Sequence, residues 1–319
     1  MGERHIIPSI SSPSTNSGST GLILGKPFRR SVPTRHRPLL LAACLESIAA
    51  SDYPTDRIEV IVVDDGGGSA EQAVEAVAGQ LETVVLRCPG VGPAAARNRG
   101  GAEASGEILA FTDDDCRVRP DWLSALVAQL AGEGPRAAGG HTMNALPENR
   151  WSMASQRVID IVYAFYNSDR RRVSFLATNN LAVPADAFRA AGGFDPTFRT
   201  AEDRDFCRRW LAGGLELVYV PEAIVLHAHS LTLGAFVRQH FAYGRGAFRF
   251  HQRAGQDGDG QLQAIGRFYR SLPRLMRDEM NGDGAVEIAR LVADIGLWQA
   301  ANGAGVVWEA ARSVARRRS

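Results

Sequence analysis

Ile108-Leu109-Ala110-Phe111-Thr112-Asp113-Asp114-Asp115 joins a short apolar run to three consecutive carboxylates. The run reads as a buried strand, and three acids at its end repel one another unless a cation or a proton relieves them. A divalent metal held by oxygen ligands is the simplest relief at neutral pH. In an extended backbone, residues two apart share a face, so Asp113 and Asp115 are expected to converge while Asp114 points away. The carboxyl end of a central strand is also where open α/β sheets bind ligands. A solvated acidic turn is the alternative.

Outward from this stretch, strands and helices alternate. Pro38 starts an apolar-periodic helix to about Ala50. Ile58 to Val63 is almost wholly β-branched and apolar, as a central strand is, and ends at Asp64-Asp65-Gly66-Gly67-Gly68. Ser69 and Gln72 offer a capping box for a helix to about Gln80. Thr83 to Leu86 is the next strand, followed by a helix through Ala94 to Arg99, and then the strand that carries the acids. Repeated units of this length predict parallel strands with right-handed crossovers. Further on, helices are predicted after Trp122, from Trp151 to Tyr166, from Pro184 to Ala191 and from Asp203 to Leu211. Strands are predicted from Ala137 to Met143, from Val173 to Val183 with a break at Thr178-Asn179-Asn180, and from Leu217 to Val220. No linker separates the two halves, which are expected to share one sheet.

The 319 residues suffice for a large core, and 36 basic against 35 acidic residues leave a net charge of +1, which gives no field for nucleic acid. Cys44, Cys88, Cys116 and Cys207 lack paired spacing and read as reduced thiols of a cytoplasmic protein. Residues 1–27 are rich in Ser, Pro, Gly and Thr and read as a disordered tail without a signal-peptide core. No long apolar window reads as a membrane span.

Several polar segments fall on the sheet edge where the acids lie. Pro33-Thr34-Arg35-His36-Arg37-Pro38 brings polar side chains and helix N–H groups to a place suited to a phosphate or a base. Asp64 and Asp65 could accept hydrogen bonds from a ribose, and Arg97 near a helix start could pair with a diphosphate. Thr200-Ala201-Glu202-Asp203-Arg204-Asp205 places a second acidic cluster at a helix start, which the dipole favours. His227 follows the apolar Ala223-Ile224-Val225-Leu226 and could ligate a metal. A G-x-G-x-x-G after the first strand, as a dehydrogenase would need, is missing.

Taken in order, these motifs resemble the family 2 glycosyltransferases with the GT-A fold, from about Val32 to Arg253. The resemblance rests on residues 33–38, Val62-Val63-Asp64-Asp65-Gly66, Gly92 with Ala96-Arg97-Asn98-Arg99-Gly100, and Phe111 to Asp115. Downstream it continues through Asn179-Asn180, Gly192-Gly193-Phe194-Asp195, Glu202 to Asp205 and His227. It implies an α/β fold with a mixed, mostly parallel sheet flanked by helices: a GT-A domain over 28–229 and a C-terminal helical extension over 230–319. It implies a nucleotide-sugar donor held by Pro33, Thr34, Arg35, Arg37, Asp65, Arg97, Asp113, Asp114, Asn180 and Glu202. Mn²⁺ or Mg²⁺ would be bound by Asp113, Asp115 and His227, and Asp203 matches the family's catalytic base. The implied reaction inverts configuration by single displacement onto a hydroxyl of a glycan, lipid-linked or small-molecule acceptor. Lack of a Q-x-x-R-W motif favours transfer of one sugar. Phe28-Arg29-Arg30-Ser31 departs from the pattern and predicts a shortened or irregular first strand.

Ser230 is a candidate cap for a helix from Leu231 to Arg253, in which Phe and Arg interleave. That helix is read either as packed on the domain or as a basic surface for peripheral contact with a membrane. Two more helices, 262–280 and 285–312, follow, with a break expected near Asn302-Gly303-Ala304-Gly305. Two other functions remain open at this point: a sugar nucleotidyltransferase, and a non-catalytic nucleotide-binding scaffold of the same fold.

Overall fold

The computed structural model describes residues 5–6, 28–68, 70–104, 106–131, 134–167, 169, 173–256 and 261–318. Its strands are β1 (His5–Ile6), β2 (Phe28–Thr34), β3 (Ile58–Asp64), β4 (Glu82–Arg87), β5 (Ile108–Phe111), β6 (Cys116–Val118), β7 (Arg136–Asn144), β8 (Leu181–Pro184) and β9 (Glu216–His227). The helices are α1 (Pro38–Ala49), α2 (Ala70–Glu75), α3 (Pro93–Glu103), α4 (Trp122–Leu130), α5 (Arg150–Tyr166), α6 (Ala185–Ala190), α7 (Glu202–Ala212), α8 (Leu233–Gln256), α9 (Gln261–Glu279) and α10 (Ala285–Arg318). Of the expected tail, residues 5–6 pair with β4, and the rest lies outside the described residues, as does Ser69.

One sheet runs in the order β1-β4-β3-β2-β5-β8-β7-β9-β6. The expected parallel half is there, since β4, β3, β2 and β5 are parallel neighbours. Beyond β5 the sheet is mixed: β8 is antiparallel to β5 and β7, β9 is parallel to β7, and β6 is antiparallel to β9. The short β6 had no recognisable pattern of its own. The expected irregularity of the first strand is overturned, because β2 pairs with β3 over its whole length, Phe28↔Ile58 to Thr34↔Asp64, and with β5 on its other side. Two-sided backbone pairing sustains the strand despite its polar composition, and Ser31 is small enough to admit Gly100 of α3 against it.

Apolar residues cover both faces of the sheet. On one side Leu41, Leu45 and Ile48 of α1 pack with Trp122, Leu123 and Leu126 of α4. On the other, Phe111, Phe188, Phe194, Phe206 and Trp210 form an aromatic core, with Phe111 and Phe194 5.2 Å apart edge to face. A third cluster joins α5 to the C-terminal helices through Val158, Ile161, Phe236, Leu291 and Trp298.

Four local expectations need correction. Residues 173–177 form no strand, and 178–180 make a 3₁₀ turn before β8. The helix after residue 69 ends at Glu75 rather than near Gln80. The last strand passes through Pro221 to His227, because a register shift between Gly140 and His141 of β7 takes up the residue that cannot donate. α10 runs unbroken through the glycines near 303: a Cβ on Gly305 would lie 2.0 Å from the Phe241 carbonyl oxygen, and one on Gly244 2.0 Å from that of Asn302. These glycines allow α8 and α10 to cross closely; they do not break the helix.

The same crossing settles α8 as a docked helix. Arg245 and Arg249 donate to the buried Glu309 of α10 at 2.7 and 2.8 Å, so these two arginines of the expected basic surface are engaged inside the protein. Thr232, rather than Ser230, caps the helix by accepting the N–H of Ala235 at 3.2 Å. No helix among the described residues is long and apolar enough to cross a membrane.

Candidate active site

β2 ends beside Asp64 of β3, so the loops that follow both strands share the edge toward which the chain runs after β5. The loop after β2 carries His36 at φ 56°, a left-handed value uncommon outside glycine. It delivers Arg37 onto the acidic triplet, where the guanidinium pairs with Asp114 at 2.6 Å and Asp115 at 2.7 Å. Thr34 donates its hydroxyl to Asp114 at 2.8 Å. Burial pushes the Asp114 carboxyl up to about 6 against the opposing pull of Arg37. Burial would also raise Asp115, but the hydrogen bond and charge of His227, with Arg37, hold it well below the usual carboxylate range. His227 Nε2 lies 3.3 Å from Asp115. Burial lowers the His227 pKa, and Asp115 more than restores it to a net rise.

The triplet does not continue as an extended strand. The Cys116 N–H donates to the Asp113 carbonyl at 3.1 Å, closing a turn, so the expected convergence of Asp113 and Asp115 on one face is corrected. Asp113 turns instead to Arg97, which bonds it at 2.5 Å and Glu202 at 2.9 Å. Arg97 is 4% exposed; burial disfavours its charge, but Asp113 and Glu202 raise its pKa on balance. This bridge joins the acids after β5 to those opening α7. Ala201, at the start of α7, has φ 71°, a second left-handed residue without glycine's freedom, and it aims Glu202 and Asp203. Loss of hydration, then the neighbouring Glu202, push the Asp203 carboxyl up to about 7.

Asp65 is built in differently from a bare ribose acceptor. Its carboxylate accepts the N–H groups of Val91 at 2.6 Å and Gly92 at 2.8 Å. Gly92 has φ 94°, which a side chain would strain, and α3 starts directly after it. Asn180 is fully buried and away from the cavity, which corrects its assignment to the donor. Its side-chain oxygen accepts from Trp122 Nε1 at 2.7 Å and Gly140 N at 3.2 Å, and its amide donates to the carbonyls of His141 and Ala223. It thereby satisfies backbone groups freed at the shift in β7. Its neighbour Asn179 lines the cavity instead.

A cavity of about 1680 Å³ collects the rest: Pro33, Thr34, Arg35, Arg37, Asp65, Arg97, Asp113, Asp114, Glu202, Asp203 and His227 all line it. Asp115 stands behind His227. Arg199, which no motif singled out, lines the same end against Gly92, and Arg204, named in the sequence only within its acidic cluster, sets its guanidinium 5.1 Å from the Tyr166 ring centre and bonds its hydroxyl at 2.9 Å. Tyr163, Tyr166 and Phe175 also escaped notice, since aromatic residues on a helical face read as core.

The residues fit the divalent cation that the resemblance implies. The carboxylate of Asp115 and the imidazole of His227, whose ligand atoms lie within 4.8 Å, are suitable donors for Mn²⁺ or Mg²⁺; Asp113, turned to Arg97, is not gathered with them. His227 Nδ1 is buried with no hydrogen-bond partner among the described residues. Cys116 lies within 4.8 Å of the Asp115 and His227 donors, but burial keeps its thiol protonated and unsuited to a hard cation.

Comparison with known proteins places the family and the fold. A pre-mycofactocin glycosyltransferase of Mycobacterium tuberculosis (strain ATCC 25618 / H37Rv) is 30% identical over 207 residues, which are 60% of this chain and 42% of that protein. The chain thus spans less than half the length of that relative. Glycosyltransferase AglE of Haloferax volcanii is 25% identical over 221 residues, covering 67% of this chain and 71% of AglE. The mannosyltransferase PcManGT from Pyrobaculum calidifontis, solved in complex with GDP-Man and Mn²⁺, superposes with a TM-score of 0.66 over 90% of this chain and 88% of that one. Its sequence identity is 18%, so the likeness is one of fold. Residues 31–191 match the pattern of glycosyl transferase family 2, and the chain belongs to that family, on a GT-A fold.

Proposed function

We propose that the protein is a metal-dependent, inverting glycosyltransferase that moves one sugar from a nucleotide-diphosphate sugar to an acceptor hydroxyl. Residues 28–229 supply the chemistry, and 230–319 supply the far wall of the cavity. The observation that carries this reading is the placement of Asp203, with its pKa raised to about 7, in one cavity with Arg97, Asp113 and His227.

Asp203 takes the proton of the acceptor hydroxyl as that oxygen bonds to the anomeric carbon. The bond from that carbon to the diphosphate breaks in the same step, the diphosphate leaves with the electron pair, and configuration inverts. Arg97 holds Asp113 and Glu202 in place through its paired nitrogens, and Arg199 supplies positive charge at the same end. The end of β2 at Pro33 and Thr34, with Arg35 just after it, faces the base and ribose, while Asp65 fixes the turn at Gly92 beneath them. Arg37 and Thr34 keep Asp114 and Asp115 apart from each other's charge. When bound, a divalent cation held by Asp115 and His227 would offset charge on the departing diphosphate.

The test is nucleoside-diphosphate release from a panel of UDP-, GDP- and dTDP-sugars with acceptor mixtures, with and without Mn²⁺, and NMR of the product anomer. Release that needs the metal, gives the inverted anomer and falls 10²- to 10⁴-fold in Asp203→Asn is expected. Unchanged release in that variant, or a retained anomer, overturns the mechanism.

A further inference from the structure

We infer that the far half of the cavity is a subsite for a hydrocarbon group carried by the acceptor, an inference that rests on the transferase reading above. From Asp203 the cavity continues between α5 and the C-terminal helices, where Val158, Ile159, Val162, Phe268, Trp298 and Val306 form its wall. These side chains come from α5, α9 and α10, elements that take no part in the donor end. Among the described residues, no Asp, Glu, Lys or Arg of α5, α8, α9 or α10 lines the cavity; its charged lining comes from the loops after β2, β3 and β5, from α3 and from residues 199–204. Arg204, on the rings of Tyr166 and Phe175, marks the seam between the two halves.

The chemistry of the wall selects its occupant. A phosphate or carboxylate placed there would lose its hydration with no Lys or Arg of these helices to meet it, and a bare glycan would set most of its hydroxyls against aliphatic and aromatic carbon. The polar side chains at this end, His240, His251, Gln252, Gln299 and Asn302, are outnumbered by apolar and aromatic ones; burial lowers the His240 pKa to about 4, and the Tyr269 hydroxyl already donates to Gln299 at 2.9 Å. A hydrocarbon, in contrast, gains with every methylene it buries. The wall is continuous with Asp203, so the reactive hydroxyl lies within a few bonds of that hydrocarbon, and a short polar head reaches the base while the chain follows α5. The C-terminal helices therefore act as an acceptor-selecting wall.

The test compares methyl β-D-glucopyranoside with n-octyl β-D-glucopyranoside, the latter below its micelle concentration, by calorimetry on the full chain. The octyl probe is expected to bind with one-to-one stoichiometry and at least tenfold more tightly than the methyl probe. Val306→Asp should erase that preference, as should the milder Val162→Asn if the first variant fails to fold. Trp308→Ala, at a residue that is 53% exposed and not on the cavity, should leave it intact. Equal affinities, no detectable binding of either probe, or a preference lost only in Trp308→Ala overturns the inference. Stabilisation of the same protein by nucleoside diphosphates with Mn²⁺ is measured in parallel. If that survives while the octyl preference is missing, the acceptor subsite fails and the transferase reading stands; the opposite pattern rejects the donor site.

Discussion

The two halves of the cavity are built by opposite means. The donor end consists of charges held by charges: Arg37 on Asp114 and Asp115, Arg97 on Asp113 and Glu202, at the edge of parallel strands whose register is fixed by buried Val and Ile. The far end consists mainly of aliphatic and aromatic side chains, with His240, His251, Gln252, Gln299 and Asn302 among them, from helices that meet through glycine contacts and the Glu309 clamp. Rigid paired charge suits a donor whose diphosphate must be placed accurately, whereas an apolar wall tolerates variation in what it contacts. Under the proposal, the first half would carry the reaction and the second would select what receives the sugar.

Breaking the paired half should cost most. Arg97→Leu leaves the Asp113 and Glu202 carboxylates facing each other without their cation, and a loss of about 3 kcal/mol in urea unfolding is expected. A loss under 1 kcal/mol would show that solvent already screens the pair. Asn180→Ala strands four buried polar groups at the β7 shift and should cost about 2–3 kcal/mol, with any surviving folded protein still able to bind nucleotide. Lost nucleotide binding in a well-folded Asn180→Ala variant would return that residue to the donor site.

How far each half could be read from sequence follows the same division. The charged end was legible because its residues lie in short motifs at strand ends, where near-continuous apolar runs announce the strand and a polar burst announces the edge. Asp113, Arg97, Asp203 and His227 all line one cavity. The local conformations were not legible: the turn at 113–116 depends on β6 pairing with β9, and the role of Asn180 depends on a register shift 40 residues away. Polar composition hid the full length of β2, whose pairing on both sides is a tertiary fact. The far wall was unreadable, since Val158 and Val306 lie far apart in sequence and look like ordinary core residues. The glycines near 303 looked like a helix break because close approach of another helix leaves no local signal.

The smallest effect sharpens the comparison by pH. Because Asp203 has its folded-state pKa raised above the usual carboxylate value to about 7, its protonated form favours the native state; that contribution is lost as pH rises toward and through 7. Asp203→Asn should therefore melt higher than the parent at pH 8 and show little difference at pH 4. Transfer by the parent should rise with pH through about 7 and level off, since the base must be ionised. A melting advantage that does not depend on pH would place the effect elsewhere.

The most direct test of the donor half is a thermal-shift series on the full chain with UDP, GDP and dTDP, each with and without Mn²⁺. A ligand that binds only the native state raises its melting temperature. One nucleotide that stabilises the protein only with the metal, in the parent but not in His227→Ala, is the expected result. Equal melting temperatures across the whole series, from well-folded protein, would contradict a nucleotide-sugar site in this cavity.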